Sequence, residues 1–429
     1  MMNKIKNHLG LVILLIIVLV FPTSMSYQAR LNMRIIVTGV AIDKVDGEYQ
    51  VTAQIIKTTP GSKPPGTSAE VDFLVDKSKV LSEAIAKLAY KAGKVSSFSH
   101  TNFVVVGKSI LEDDVSSCLD YFVRDKIIKN SALVLFAEDN AGKELQKTKQ
   151  TELSVGIGLQ KVYTFKEHNS DGLMVTMIDF LKQSRSNAGT SVASTFVLET
   201  NKEQQSGGSS GGSSSGSSGG DSGSLSNASS GSSGSGSGGS SGESSSSSGG
   251  EYQYFKQLSP LMCFKEGVFA GKLETETDID GFMLVNQKSK VIEISLENVT
   301  GGRFKNSQIE VAIKNKKTRF KIRYEGDTPC FDIKVVVRKS EIGEILSDEI
   351  IGTLTEEEFD LVVDHLKKEI AKKVSTCFET AKEFGVDIFN AYDHAYKFAY
   401  KNTTKFELKE DFLKALKLNV FVDVKQMEY

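Results

Sequence analysis

Two apolar stretches near the start of the chain are separated by a short polar turn. Residues 35–42 are almost continuously apolar, and in residues 49–55 apolar and polar positions alternate. Alternation with a period of two is typical of a strand that has one buried face. Asp46 and Gly47 lie between the two stretches and tolerate the positive φ angles of a tight turn. The pattern therefore predicts a β-hairpin.

Strand and helix patterns then alternate as far as residue 138. Strands are predicted at 71–75, 103–106 and 133–137, and helices from residue 81 to Gly93 and at about 111–124. In the first helix, apolar residues recur three and four positions apart, with Ser78 as the expected cap and Gly93 as the stop. Strands that alternate with helices indicate a mixed sheet covered by helices.

The pattern becomes less regular after Glu138. Helices are predicted at 153–163 and 173–181, and a strand at 192–198. Farther along, residues 262–264 and 268–273 flank a Lys-Glu-Gly turn and predict a second hairpin. We expect this hairpin to complete a small middle domain that begins before residue 200.

The last part of the chain carries the clearest local signals. Alternating residues predict three antiparallel strands at 309–313, 320–324 and 331–337, and a final strand at 418–424. Between them a long helix is expected to start with a capping box formed by Thr355 and Glu358 and to stop at Gly385. Its apolar positions predict one buried stripe, which consists of Phe359, Val363, Leu366, Ile370, Val374, Cys377, Ala381 and Phe384.

Residues 206–250 are nearly all serine and glycine. Such a segment has too little apolar surface to offset the entropy of ordering, so we expect it to be disordered. The sequence thus predicts an α+β (mixed α/β) fold of about three domains. These are an N-terminal α/β domain at 31–138, a small middle domain at 139–200 with 251–285, and a C-terminal domain with an antiparallel sheet and a long helix at 286–429.

An apolar run at residues 9–21 follows Lys4 and Lys6. The run is too short to cross the ~30 Å hydrocarbon core of a bilayer as a helix, but it suits the central part of a signal peptide. Ser24 and Ser26 supply the small residues of a cleavage site. Residues 1–26 are therefore a signal peptide or an uncleaved anchor, and the rest of the chain is expected outside the membrane.

Composition narrows the possible functions. The chain has 52 basic and 54 acidic residues, so it offers no general electrostatic attraction for nucleic acid or anionic lipid. Its four cysteines are far apart and lack the spacing of zinc or redox sites. Buried thiols are the simplest interpretation, although one disulfide remains open for an exported protein.

No pattern of catalytic or metal-binding residues emerges. His100 lies near two serines without a nucleophile elbow, so we expect a hydrogen-bonded structural histidine. His394 follows Asp393, with Asp387 nearby, and an exposed polar cluster is the simpler interpretation than a metal site. The fragment Gly-Ile-Gly at 156–158 is half of a dinucleotide motif and is too short to indicate a nucleotide site. No catalytic residue, cofactor or metal is therefore predicted.

Tyrosines at positions 392, 396 and 400 recur at helical spacing. Such a stripe usually packs against a sheet, but an exposed tyrosine face can bind a partner with little loss of side-chain entropy. Tyr392, Tyr396 and Tyr400 are therefore candidate partner contacts.

Several segments, in this order, resemble the Ger(x)C family, the C subunit of nutrient germinant receptors in spore-forming bacteria. They are the hairpin at 35–56, FSHTNFVVVG at 98–107, YFVRD at 121–125, FKEGVFAGKL at 264–273, and the long helix running into GVDIF at 385–389. The resemblance implies three mixed α/β domains and a role in assembling a receptor with two integral-membrane subunits, A and B. It carries over no catalytic residue.

The chain departs from the family pattern in two ways. Family members usually carry an acylated lipobox cysteine just after the apolar run, whereas the first cysteine here is Cys118. The protein is therefore expected at the outer face of the cytoplasmic (spore inner) membrane without that anchor, either through an uncleaved apolar run or through its partners. The Ser/Gly insertion is the second departure and falls between matching segments.

The sequence thus predicts a non-catalytic, extracytoplasmic receptor subunit that works by protein–protein contact in spore germination, without nucleic acid or cofactor. The alternative is a secreted or surface-attached ligand-binding or hydrolytic protein of an unrelated family. An adhesin-like surface protein is a third possibility, favoured only by the Ser/Gly segment.

Overall fold

The computed structural model describes residues 34–56, 71–147, 173–201, 252–255, 260–286, 291–346 and 354–428. The predicted signal segment, the helix at 153–163, the Gly-Ile-Gly fragment and the Ser/Gly insertion lie outside these residues. Within them, helices and sheets are combined in one α+β structure, as the sequence predicts. None of the helices in this described part is both long and apolar enough to cross a membrane.

The N-terminal sheet has the strand order β3-β2-β1-β5-β6, and β4 pairs with one end of β1. Strands β1, β2 and β3 pair antiparallel, whereas β5 and β6 run parallel to β1. Helices cover this mixed sheet, as expected. Its strands are β1 (Arg34–Val45), β2 (Glu48–Ile56), β3 (Val71–Ser78), β4 (Val95–Ser97), β5 (Phe103–Val106) and β6 (Leu133–Phe136).

The first hairpin is confirmed, since Asp46 and Gly47 adopt φ angles of 54° and 79° between β1 and β2. Helix α1 (Leu81–Ala92) ends at Gly93 as predicted. The expected cap at Ser78 is wrong, because Val80 occupies the N-cap position and the Ser78 hydroxyl donates to Glu83 instead.

The helix expected at 111–124 is two helices, α2 (Lys108–Leu111) and α3 (Val115–Arg124). Asp114 separates them because its side chain accepts the N–H of Ser116 and so caps a new helix.

The middle of the chain contains a three-stranded sheet with the order β11-β10-β7. The second predicted hairpin is confirmed as β10 and β11, and β10 also pairs with β7, which lies on the other side of the Ser/Gly insertion. The helix predicted from residue 173 begins later, because Thr176 caps it. The division of the chain into domains stays a prediction. The elements are α4 (Ala141–Gln146), α5 (Met177–Ser184), β7 (Thr190–Ser194), β8 (Leu198–Asn201), β9 (Tyr252–Phe255), β10 (Leu261–Lys265), β11 (Val268–Leu273) and α6 (Glu276–Val285).

The C-terminal sheet has the order β12-β13-β14-β15. The separate strands predicted at 309–313 and 320–324 are wrong, because both belong to one long strand whose register shifts near Asn315. The strand predicted at 418–424 is confirmed as β15, which runs parallel to β14. The strands are β12 (Ile292–Gly301), β13 (Phe304–Glu325), β14 (Thr328–Leu346), β15 (Lys417–Val424) and β16 (Met427–Glu428).

Helix α7 (Glu356–Glu383) lies on the C-terminal sheet and has the predicted capping box. The Glu358 carboxylate also accepts hydrogen bonds from Arg303, with Arg303 Nη2 2.7 Å from Glu358 Oε2. These bonds hold the pKa of Glu358 well below its usual range. The contact ties the β12–β13 turn to the start of the helix.

The buried stripe of α7 is wider than the sequence predicts. Phe359, Val363 and Phe384 are only half-buried, whereas Val362 and Phe378 are fully buried. The physical reason is that α7 packs against α6 as well as against the sheet. Three short helices follow, namely α8 (Ala391–Phe398), α9 (Tyr400–Thr403) and α10 (Lys409–Ala415).

Candidate partner-binding surface

The tyrosines singled out in the sequence lie on α8 and α9, directly after the long helix. Gly385 has a φ of 71°, which ends α7 and turns the chain back toward the sheet. The buried carboxylate of Asp387 then accepts the N–H groups of Ala391, at 2.9 Å, and of Tyr392, at 2.7 Å. Asn390, at the N-cap position of α8, makes no side-chain capping bond. Asp387 therefore fixes the start of the helix that carries the tyrosines.

Burial raises the pKa of Asp387 to about 6, from an ordinary value of 3.8. A carboxyl group whose pKa is raised by folding stabilises the protein below its unfolded pKa, and this contribution is lost as the pH rises through its folded value. Since asparagine does not titrate, the Asp387→Asn variant should gain in thermal stability relative to the wild type as the pH rises through about 6. Melting temperatures between about pH 4 and 8 test this prediction. A difference that does not change with pH would contradict it.

Helices α8 and α9 are attached to the inner side of the C-terminal sheet. The His394 ring packs against Phe320 and Phe331, with ring centroids 5.0 and 5.7 Å apart. The Tyr324 and Thr403 hydroxyl oxygens are 2.9 Å apart and hydrogen-bonded. These contacts orient the short helices on the sheet.

The predicted exposed polar cluster around His394 is wrong. His394 is partly buried on the sheet, and burial lowers its pKa. Asp387 caps α8, and Asp393 accepts the N–H of Ala188 at 3.0 Å. In the described ranges, no three histidine, cysteine, aspartate or glutamate side chains come together as a metal-binding group. The three residues therefore serve packing and capping, since each has a separate partner.

The three tyrosines form a continuous row with increasing exposure, which we call the tyrosine row (Tyr392, Tyr396, Tyr400). Tyr392 is partly buried against Phe412, with ring centroids 5.2 Å apart. Tyr396 is 37% exposed, and Tyr400 is 54% exposed. Their rings contact in sequence, with centroid distances of 6.3 Å for the first pair and 4.9 Å for the second.

The tyrosine row extends over two helices. Ala399 has φ −141° and separates α8 from α9, so Tyr400 begins a new helix. The hydrogen bond with Tyr400 raises the pKa of Tyr396. Only Tyr392 is packed into the protein, and the outer two rings present aromatic surface and hydroxyl groups to the outside. Whether they bind a partner stays a prediction.

The other residues considered for chemistry have ordinary environments. His100 is exposed, and the Ser97 hydroxyl lies 3.0 Å from the Ser99 hydroxyl, to which it is hydrogen-bonded. The expectation of a structural histidine held by hydrogen bonds is not supported by these contacts. The four cysteines are free and buried, and burial raises the pKa of Cys118 and Cys263 to about 12. Such thiols are poor nucleophiles at neutral pH.

A cleft of about 200 Å³ lies beside α8, where the middle elements meet the C-terminal sheet. Polar and apolar surface line it about equally, and its polar lining consists of neutral side chains and His394. The residues that surround it include Val175, Val192, Phe282, Phe320, Ile388 and His394.

Two family models match the chain. Residues 27–198 match the spore germination protein N-terminal domain, and residues 261–427 match the spore germination B3/GerAC-like C-terminal domain. Together they span well over half of the chain.

Among solved structures, the chain is similar to a crystal structure of the GerBC protein. The sequence identity is 14% and the TM-score is 0.49, with 90% of this chain and 96% of that chain covered. No curated protein matches the chain.

Proposed function

The chain belongs to the Ger(x)C family of GerAC-like spore germination proteins, and from that premise we propose that it is a non-catalytic subunit of a spore germinant receptor. In this role it supports assembly of the receptor and nutrient-triggered germination through contacts with the integral-membrane A and B subunits. The observation that carries the proposal is the match of both family models in the expected order along the chain. The alternative of an unrelated secreted protein loses its basis, because the matches cover both halves of the chain.

We place the protein at the outer face of the cytoplasmic membrane, which is the spore inner membrane. The support is the apolar run at residues 9–21 after two lysines, which suits export. Its first cysteine, Cys118, is buried in the fold, so a lipid attached after the apolar run does not enter this proposal. Mass spectrometry of the mature N-terminus tests whether the run is removed or kept as an anchor.

The surroundings of the residues that were considered for catalysis agree with a non-catalytic role. His394 packs on aromatic rings, Asp387 caps a helix, and the Ser97 hydroxyl bonds to another serine. The tyrosine row, in contrast, offers aromatic contact area held on a fixed support. Tyrosine is enriched in protein interfaces because it buries a large area with little loss of rotamer entropy.

The Tyr396→Ala variant tests the proposed contact. We expect its melting temperature to stay close to that of the wild type, because the ring is 37% exposed and lies between two other tyrosines. We also expect much less of the A and B subunits to co-purify with it from solubilised spore membranes. Germination in response to nutrients should be slower in spores that carry only this variant.

Tyr90 provides the matched control. It is 83% exposed on helix α1, which packs on the N-terminal sheet, away from the tyrosine row. Tyr90→Ala should keep both stability and co-purification. Equal co-purification of the two variants would remove Tyr396 from the interface. A strain without the gene that germinates normally with every nutrient would contradict the proposed function itself.

A further inference from the structure

The C-terminal sheet has one covered side and one open side. Along β13, Lys316 and Phe320 point inward, where Phe320 contacts His394 and the Lys316 ammonium donates to the Asn286 carbonyl. The residues at the alternate positions, such as Lys317 and Arg319, must point to the opposite side, because successive strand residues alternate. We call this opposite side of β13, β14 and β15 the outer face. Helices α7 and α8 both contact the inner side.

The outer face of β13 carries three basic residues in a row, namely Lys317, Arg319 and Lys321. All three are exposed. In the part of the chain that the structure describes, none of them forms an ion pair with a carboxylate. Three neighbouring cations without counter-ions repel one another, so an anionic surface would relieve that repulsion.

Neighbouring strands extend this basic row. Lys334 of β14 lies directly opposite Arg319, and Phe421 of β15 lies opposite Lys334. Lys417 is exposed at the start of β15. The acidic residues within this part of the face are engaged, since Asp332 binds Arg323 and Asp423 binds Lys334 and Lys425.

The same sheet becomes acidic toward its other end. Glu293 of β12 pairs in register with Ala312, and Glu341 of β14 also lies opposite Ala312. Glu310 lies opposite Ser295 on the same side. Glu341 is ion-paired with Lys314 at 3.6 Å, whereas Glu293 and Glu310 add negative charge at this end. The basic row lies at the opposite end, so an anionic plane would attract that end of the outer face more strongly.

Phe421 distinguishes a lipid surface from an acidic protein as the partner. It is 51% exposed and lies directly opposite Lys334, although the inner side of β15 provides packing for apolar residues. An exposed aromatic ring among basic side chains is typical of segments that bind the headgroup region of anionic membranes. An acidic peptide would need no aromatic ring at that position.

We propose that the basic end of the outer face, formed by Lys317, Arg319, Lys321, Lys334 and Phe421, binds the headgroups of anionic phospholipids. The proposal rests on the proposed function for the location of the protein beside a membrane, and adds which side of the protein meets the lipid. The tyrosine row lies on α8 and α9, on the other side of the same sheet. The two surfaces could thus be used at once, one for lipid and the other for the protein subunits.

Flotation of the full chain with vesicles tests the proposal. The vesicles are phosphatidylcholine alone or phosphatidylcholine mixed with phosphatidylglycerol, and the readout is the ratio of the two partition coefficients. The apolar run at residues 9–21 and the lysines before it are the same in every variant, so a change of this ratio between variants reports the substitutions alone. A variant with Lys317→Gln, Arg319→Gln and Lys321→Gln should lower the ratio about a hundredfold, at about fivefold for each charge. High salt should remove the wild-type preference.

The matched control removes three positive charges from α7, which covers the inner side of the sheet. Lys367→Gln, Lys368→Gln and Lys372→Gln change the net charge by the same amount and should leave the ratio unchanged. Phe421→Ser should lower partition onto the anionic vesicles while leaving the fold intact. An equal effect of the two triple variants, or none from the first, would overturn the proposal.

The vesicles contain no receptor subunits, so their result is separate from the proposed function. If the first triple variant binds anionic vesicles normally but loses the A and B subunits, the basic end contacts protein and the lipid proposal fails. If vesicle binding fails while co-purification and germination persist, the receptor role stands and only the lipid contact is lost.

Discussion

Replacing Lys373 with methionine should lower the free energy of unfolding by about 3–5 kcal/mol. The Lys373 ammonium is 2.7 Å from the Asp280 carboxylate, and the two side chains are only 6% and 7% exposed. The second carboxylate near Lys373, from Glu276, is 3.7 Å away and 62% exposed. Methionine would fill the space of the lysine stem but remove the ammonium that lies 2.7 Å from the buried Asp280 carboxylate. Urea denaturation of the variant and the wild type measures the change.

The pair joins α6 to α7, which pack closely because Gly281 lies next to Asp280. A Cβ atom at Gly281 would come within 2.2 Å of the Lys373 carbonyl oxygen. The helices therefore cannot move apart or rotate to expose Asp280 without losing this packing. The expected loss of stability is large because the charge has no easy route to water.

Two further variants separate charge from packing. Lys372→Met removes an exposed lysine on the same turn, whose partner Glu369 is 3.3 Å away, and should change stability by no more than about 0.5 kcal/mol. Combining Lys373→Met with Asp280→Leu should restore much of the loss, since the buried carboxylate is then removed together with its lysine. A single Lys373→Met variant as stable as Lys372→Met would contradict the assigned role of the pair.

Replacing Phe264 with alanine should destabilise the protein by about 3–5 kcal/mol. The Phe264 ring is fully buried, with its centroid 4.5 Å from that of Phe136 and 5.2 Å from that of Phe180. Phe136 belongs to the N-terminal sheet and Phe180 to α5, while Phe264 comes from β10, beyond the Ser/Gly insertion. Alanine would leave a cavity where these three elements meet. Denaturant midpoints and the slope of the transition measure the effect.

Phe269 is the natural control because it lies on the same hairpin. Its ring is 37% exposed and meets Phe264 edge-on at 6.0 Å. Phe269→Ala should cost clearly less, since its partly exposed ring leaves a site that water can enter. If the two variants lose the same stability, the cluster around Phe264 does not hold the two sides of the insertion together.

Local sequence signals predicted the elements with strong start and stop residues. The hairpin at Asp46 and Gly47, the stop of α1 at Gly93 and the capping box of α7 all depend on residues within one turn of each other. A prediction was wrong where a local side-chain contact interrupted the pattern. The single helix predicted at 111–124 is two helices, because Asp114 caps a new helix inside a continuous apolar pattern.

Longer-range contacts decided the other differences. The register shift near Asn315 lets β13 continue through a segment with a weak strand pattern, because β14 supplies partners along its length. The spacing of the tyrosine row was visible in the sequence, but its exposure was not. It depends on Phe412, whose ring packs on Tyr392, and on Ala399, where the backbone leaves the helical conformation so that Tyr400 begins a new helix.

The sequence by itself determined the family, most strands and helices, and the near-balance of charge that argued against electrostatic binding to lipid. It also showed three basic residues at alternate positions in β13. Only the tertiary structure placed Lys334 and Phe421 beside them, since the paired residues Lys334 of β14 and Phe421 of β15 are 87 positions apart in the chain. Neighbours across a sheet are set by strand register, and register depends on contacts between distant segments that no local pattern contains.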